Sequence, residues 1–160
     1  MIRPARLDDA ARIAEIYNEF IRDTVITFEE QPVSAAEMAA RVEGVTAKLP
    51  WLVTEEAGSI AGYAYAMPWK TRSAYRFTVE TTIYLAPQCA GRGLGRELYT
   101  ALLGELRTRD VHCAVGCIAL PNDASIALHE NLGFRKIGEF QEVGWKLGRW
   151  VDVGYWELLF

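Results

Sequence analysis

The sequence predicts one mixed α/β domain over residues 1–160. Three observations carry this. The chain has 160 residues, 51% of them apolar, enough for one packed core. Residues 76–140 read as strand, helix, strand, helix, strand, the order that builds a layered α/β domain. No internal repeat, low-complexity tract or linker divides the chain.

The elements follow in order. "MIRPA" reads as a short strand. In "LDDAARIAEIYNEFI", Ala10, Ile13, Ala14, Tyr17, Phe20 and Ile21 share a helical face, with Asp8 as the expected N-cap. "TVITFEEQPV" is a connector. "SAAEMAARVEGVTAKL" opens on Ser34 and Glu37, the spacing of a capping box. "WLVTEEAGSIAGYAYAMP" gives two strands turning at Ala57 and Gly58, and "YRFTVETTIYL" a third. "GLGRELYTALLGELRTR" is a helix with Leu94, Leu98, Leu102 and Leu106 as its buried ridge. "CAVGCIAL" is apolar throughout, as in a strand covered on both faces. "PNDASIALHENLGF" is a helix bounded by Pro121 and Gly133. "FRKIGEF", "GWKLG" and "WVDVGYWEL" complete the strands.

Composition narrows the function. A net charge of −4 disfavours a nucleic-acid surface. No apolar run approaches the roughly 20 residues of a membrane span, and the charged N-terminus lacks a signal peptide's apolar stretch. A cytoplasmic, soluble protein is expected. Three cysteines do not suggest a disulfide scaffold. Cys113 and Cys117, four apart in one strand, would lie about 13 Å apart, beyond the about 7 Å limit for a bridge. The two histidines have no metal-ligand spacing with cysteine, and no metal site is expected.

The stretch "QCAGRGLGRELYTALL" places Gly91, Gly93 and Gly95 at the start of a helix. A helix N-terminus carries unsatisfied N–H groups and partial positive charge, so it holds phosphate. Glycine lets a ligand approach the backbone, and Arg92 and Arg96 add charge. The spacing matches neither the Walker loop nor the dinucleotide fingerprint.

Together with the preceding strand, Asn122, Ser125 and Leu132-Gly133-Phe134, the string from Gln88 to Gly93 resembles the GNAT superfamily of acetyl-CoA-dependent N-acetyltransferases. Its signature is Q/R-x-x-G-x-G/A. Here Ala90 stands where an arginine is common. "YNEFIRDTVITFEE", "GYAYAMPWKTRSAYRFTVETTIYL", "PNDASIALHENLGF" and "VGWKLGRWVDVGYW" extend the likeness to the phosphinothricin (methionine sulfoximine) N-acetyltransferase family over nearly the whole chain. The resemblance implies the GNAT acyltransferase fold, a central mixed, mostly antiparallel twisted sheet flanked by helices. It implies acetyl-CoA as co-substrate, a small amino-acid acceptor and a homodimer.

Candidate site residues follow. Alternation in "FTVETTIYL" puts Phe77, Val79, Thr81, Ile83 and Leu85 on one face, and Thr78, Glu80, Thr82 and Tyr84 on the other. The superfamily often bulges this strand, which would shift the phase. An amine must be neutral to attack a thioester, and a carboxylate can take its proton. Glu80 is the expected base, in agreement with the resemblance. His129, four residues after Ser125 on one helical face, stands where many superfamily members have a tyrosine acid. It is either a proton donor to the departing thiolate or a packing residue. The resemblance sets Ile83, Tyr84, Leu85, Gly91, Arg92, Gly93, Leu94, Gly95, Arg96, Asn122 and Ser125 against the cofactor. It sets Phe28, Trp69, Arg72, Tyr75 and Tyr84 around the acceptor, where Arg72 would grip a carboxylate. Lys70 adds a second charge. Trp145, Trp150 and Trp156 are expected in the core or at a subunit contact. Another amine acceptor, such as a peptide N-terminus, and a non-catalytic coenzyme A-binding module are the alternatives.

Overall fold

The computed structural model describes all residues 1–160. The strands are β1 (Ile2–Pro4), β2 (Trp51–Glu56), β3 (Ser59–Pro68), β4 (Thr78–Leu85), β5 (Cys113–Ala119), β6 (Arg135–Lys146) and β7 (Arg149–Leu159). The helices are α1 (Ala10–Asp23), α2 (Ala35–Thr46), α3 (Leu94–Arg107) and α4 (Asp123–Asn131). One sheet joins all seven strands in the order β1-β2-β3-β4-β5-β7-β6, and only β4 and β5 run parallel.

Alternation along the strands divides the core into two layers. Trp51, Val53, Tyr63 and Tyr84 pack with Ile13, Ile16 and Tyr17 of α1 and with Met38 and Val42 of α2. Leu52, Ala64, Ala66 and Val79 face the other way, toward Leu98, Leu102 and Leu106 of α3. Those three leucines are fully buried, as the helical pattern predicts, whereas Leu94 stays partly exposed at the first turn.

Ser34 and Glu37 cap α2 as the spacing predicts. Glu37 N–H donates to Ser34 Oγ at 3.2 Å, and Ser34 N–H to the Glu37 carboxylate at 2.8 Å. The expected Asp8 cap is corrected. A 3-10 turn, Leu7–Asp9, precedes α1, and Asp9 occupies the cap position without a side-chain cap bond. Its carboxylate accepts instead from Arg6 N–H at 2.7 Å and from the Arg3 guanidinium at 2.7 and 2.8 Å. Arg3, fixed by β1–β2 pairing, also reaches Glu55, so tertiary contact outweighs local capping.

The C-terminal strands are also corrected. "FRKIGEF" and "GWK" belong to one long strand, β6, with register shifts between Lys136 and Gly138 and between Phe140 and Gly144. Bulges keep such a strand continuous while bending it. β4 has no bulge against β3, where pairing runs unbroken from Gly62↔Leu85 to Pro68↔Val79.

The β4–β5 contact positions the site. The two strands pair only at Thr78↔Cys113, Val79↔Ala114 and Glu80↔Val115. Beyond Glu80 they part, leaving a wedge in the middle of the sheet.

Candidate active site

A cavity of about 500 Å³ opens at this wedge. It draws on both layers. Tyr17, Thr27 and Phe28 line it from α1 and the α1–α2 connector, whereas Asn122, Ser125 and His129 line it from α4. Trp69, Glu80, Ile83 and Tyr84 also reach it. Arg72, Tyr75 and Leu85 do not line it. Arg72 and Tyr75 lie exposed where the chain turns into β4. Leu85 packs against the glycines on either side of it, Gly62 and Gly95.

Glu80 is half-buried at the point where β4 and β5 separate. Burial raises its carboxyl above the ordinary range. A hydrogen bond from the Cys117 thiol and attraction to Lys70 act in the opposite direction. Burial and the Glu80 charge push the Cys117 thiol up to about 12. Cys117 sits directly across from Tyr155 of β7, and both line the cavity. A carboxylate with a raised pKa in a cleft suits proton transfer near neutrality.

His129 is buried, at 4% exposure. Its Nδ1 lies 2.8 Å from the Ser125 carbonyl, and its Nε2 lies 2.9 Å from the Tyr99 hydroxyl. A backbone carbonyl only accepts, so Nδ1 carries the proton. Nε2 therefore accepts from Tyr99 O–H, which in turn receives the Thr81 hydroxyl at 2.6 Å. Burial also lowers the imidazole's pKa. The neutral ring has both nitrogens occupied. Gly116 makes room for it, because a Cβ there would stand 2.6 Å from the ring.

Asn122 caps α4, its side-chain oxygen accepting from Ser125 N–H at 3.1 Å. Its amide NH2 has no protein partner. Gly93 is the N-cap of α3 and adopts φ +83°, and Gly91 adopts φ +73°. Both conformations favour glycine. No side chain caps α3, so its first N–H groups remain open. Gly95 has a different task. A Cβ there would press on Leu85 at 3.2 Å and approach Leu128 at 3.8 Å, so it allows α3 to pack at the wedge. Arg92 forms a two-point pair with Glu56 of β2, at 2.6 and 2.5 Å. Arg96 is exposed and unpaired.

The family model for the acetyltransferase (GNAT) domain matches residues 2–154. The chain belongs to the GNAT acetyltransferase family. A phosphinothricin N-acetyltransferase from Streptomyces viridochromogenes is 41% identical over 98% of this chain and 85% of its own length. An L-methionine sulfoximine/L-methionine sulfone acetyltransferase from Salmonella typhimurium is 37% identical over 98% of this chain and 92% of its own. Among solved structures, a GNAT phosphinothricin acetyltransferase from Sinorhizobium meliloti in complex with AcCoA superposes with a TM-score of 0.96. It is 38% identical and covers all of this chain and 88% of its own.

This GNAT acetyltransferase brings together several groups that sequence reasoning did not assemble. Lys70, which the sequence marks only as a second charge beside Arg72, lines the cleft and lies over the Trp69 ring at 4.4 Å. Cys117 and Tyr155 meet Glu80 only through the β4–β5–β7 register, which no local pattern encodes. Tyr99 is the exception. It neighbours Leu98 and precedes Leu102 by three, which marks it for the buried face of α3.

Proposed function

We propose that this protein transfers an acetyl group from acetyl-CoA to the amine of a small amino acid of the phosphinothricin or methionine sulfoximine type. The observation that carries this reading is the half-buried Glu80, with its raised pKa, at the mouth of the wedge between β4 and β5. The names of the relatives supply the acceptor class, and the AcCoA complex of a structural neighbour supplies the donor.

In this reading the uncapped N-terminus of α3 holds the pyrophosphate on open N–H groups from Gly91 to Arg96. Arg96 adds charge there, and Arg92 braces the loop through Glu56. The unpaired edge of β4 beyond Glu80, from Ile83 through Leu85, receives the pantetheine chain. The free amide of Asn122 meets it from α4, beside Ser125. Glu80, directly or through water, takes a proton from the acceptor ammonium and leaves the neutral amine. The amine nitrogen bonds to the thioester carbon, and the C–S bond breaks. The proton that the nitrogen sheds as the amide forms goes to the departing thiolate, giving coenzyme A, and the proton held by Glu80 passes to solvent.

His129 holds position in this scheme rather than donating, because its one proton is committed to the Ser125 carbonyl. Phe28, Trp69 and Tyr84 form the acceptor walls. Lys70, which lines the cleft where Arg72 and Tyr75 do not, is assigned the acceptor carboxylate. One domain suffices for all these parts. The molecule is assigned a cytoplasmic setting, where acetyl-CoA is supplied. It is also assigned a homodimer, since Phe140, Val143, Trp145 and Trp150 cover the β6–β7 hairpin with exposed apolar surface.

Release of free thiol from acetyl-CoA tests the reading. Phosphinothricin and methionine sulfoximine should each give at least about tenfold higher kcat/KM than a peptide N-terminus. No thiol release with any amine, despite tight acetyl-CoA binding, would replace the enzyme with a binding module.

A further inference from the structure

Val143 of β6 lines the cavity, and two further β6 residues brace the wall formed by Thr27 and Phe28 from behind. The first is Lys146, only 2% exposed, whose Nζ donates to the Thr27 carbonyl at 2.7 Å. It has no carboxylate within ion-pairing distance, so a backbone oxygen is its close partner. The second is Gly144. A Cβ there would stand 2.3 Å from the Phe28 ring, so the ring rests on bare backbone. Thr27 and Phe28 both line the cavity.

The far side of the same loop is closed by a directed ring of hydrogen bonds. Glu29 N–H donates to Thr27 Oγ1 at 3.3 Å. Tyr17 O–H donates to the Glu29 carboxylate at 3.0 Å, so the 2.7 Å contact between Tyr17 and Thr27 runs from the threonine hydroxyl. Arg41 grips both Glu29 oxygens at 2.7 and 3.0 Å. These bonds tie Thr27 to the helices, and only the Lys146 bond ties its carbonyl to the sheet. A buried ammonium is costly, and a hydrophobic residue of equal size would avoid that cost. Keeping lysine here is consistent with a positional task.

We infer that Lys146 and Gly144 form a clamp that fixes Thr27 and Phe28 as the acceptor-side wall, making Lys146 a positioning residue for acceptor recognition. The acceptor part rests on the acetyltransferase reading above. The clamp residues lie on the hairpin whose outer face carries Trp145 and Trp150, so the clamp and that surface share one hairpin.

Two variants and two measurements test it. Lys146→Met removes the ammonium but keeps the volume. Gly144→Ala displaces the Phe28 ring, whose outer edge has room to move. In both, the acceptor KM should rise about tenfold or more, with the acetyl-CoA KM held within about twofold. Amide hydrogen exchange across residues 24–33 should quicken several-fold in Lys146→Met. An acceptor KM unchanged in both variants, or one that moves equally with that of acetyl-CoA, overturns the recognition role. Unchanged exchange overturns the clamp. If the wild-type protein releases no thiol with any amine, the acetyltransferase reading falls, and the exchange measurement alone decides whether the loop is clamped.

Discussion

Glu80 carries opposite demands. Burial raises its pKa in the folded protein, so ionising it costs folding stability. The stability linked to this group is complete below its unfolded pKa and is lost as pH rises through the folded value. Glu80→Gln cannot ionise. It should therefore melt above the wild type at pH 8, and the gap should close below the ordinary carboxylate range. The same variant should lose about 10²–10⁴ in kcat with acetyl-CoA KM little changed. Equal melting temperatures across that pH span would show that the carboxylate is not held in a strained ionised form. Its neighbour Cys117 is shifted the same way. Burial and the Glu80 charge push its thiol up to about 12, so it stays protonated near neutral pH. A thiol beside the base is thus kept from capturing the acetyl group itself.

Among the elements, α3 joins the two jobs of the fold. Its glycine start leaves the first N–H groups open, and Leu98, Leu102 and Leu106 seal the core. Leu102→Ala should cost about 2–5 kcal/mol, lowering Tm by roughly 5–15 °C in a chain of this length. A fall under about 2 °C would mean that the site collapses around the missing side chain. The helices were legible because a 3.6-residue apolar period survives in local sequence, as in α1 and α3. The capping box at Ser34 was legible for the same reason. Asp8 misled because the competing partner, Arg3, reaches Asp9 through β1–β2 pairing. The break within β6 misled because bulges disguise one strand as two. At the site, Glu80 was found from strand alternation. Cys117, Tyr155 and Lys146 were not, since each acquires its meaning from a register or a contact distant in sequence. His129 lines the cavity, but the partner of its Nε2, Tyr99, lies thirty residues upstream, and no local signal pairs the two.

At the scale of the whole molecule, the sheet has an exposed apolar end. Phe140, Trp145 and Trp150 of β6–β7 are each more than half exposed, and the two tryptophan rings meet edge to face at 5.1 Å. A homodimer burying this face predicts that Trp145→Lys with Trp150→Lys yields a monomer by sedimentation. A wild-type protein already monomeric at tens of micromolar would remove that assignment. The wedge between β4 and β5 has a different consequence. It is reached from the α1 layer on one face and from α4 on the other, so the cavity passes through the sheet. In the proposed reading the cofactor lies on the α4 side and the acceptor on the α1 side, so the cavity has room to hold both at once. On that reading the acetyl group would pass directly from one to the other, with no interval in which the protein must carry it alone.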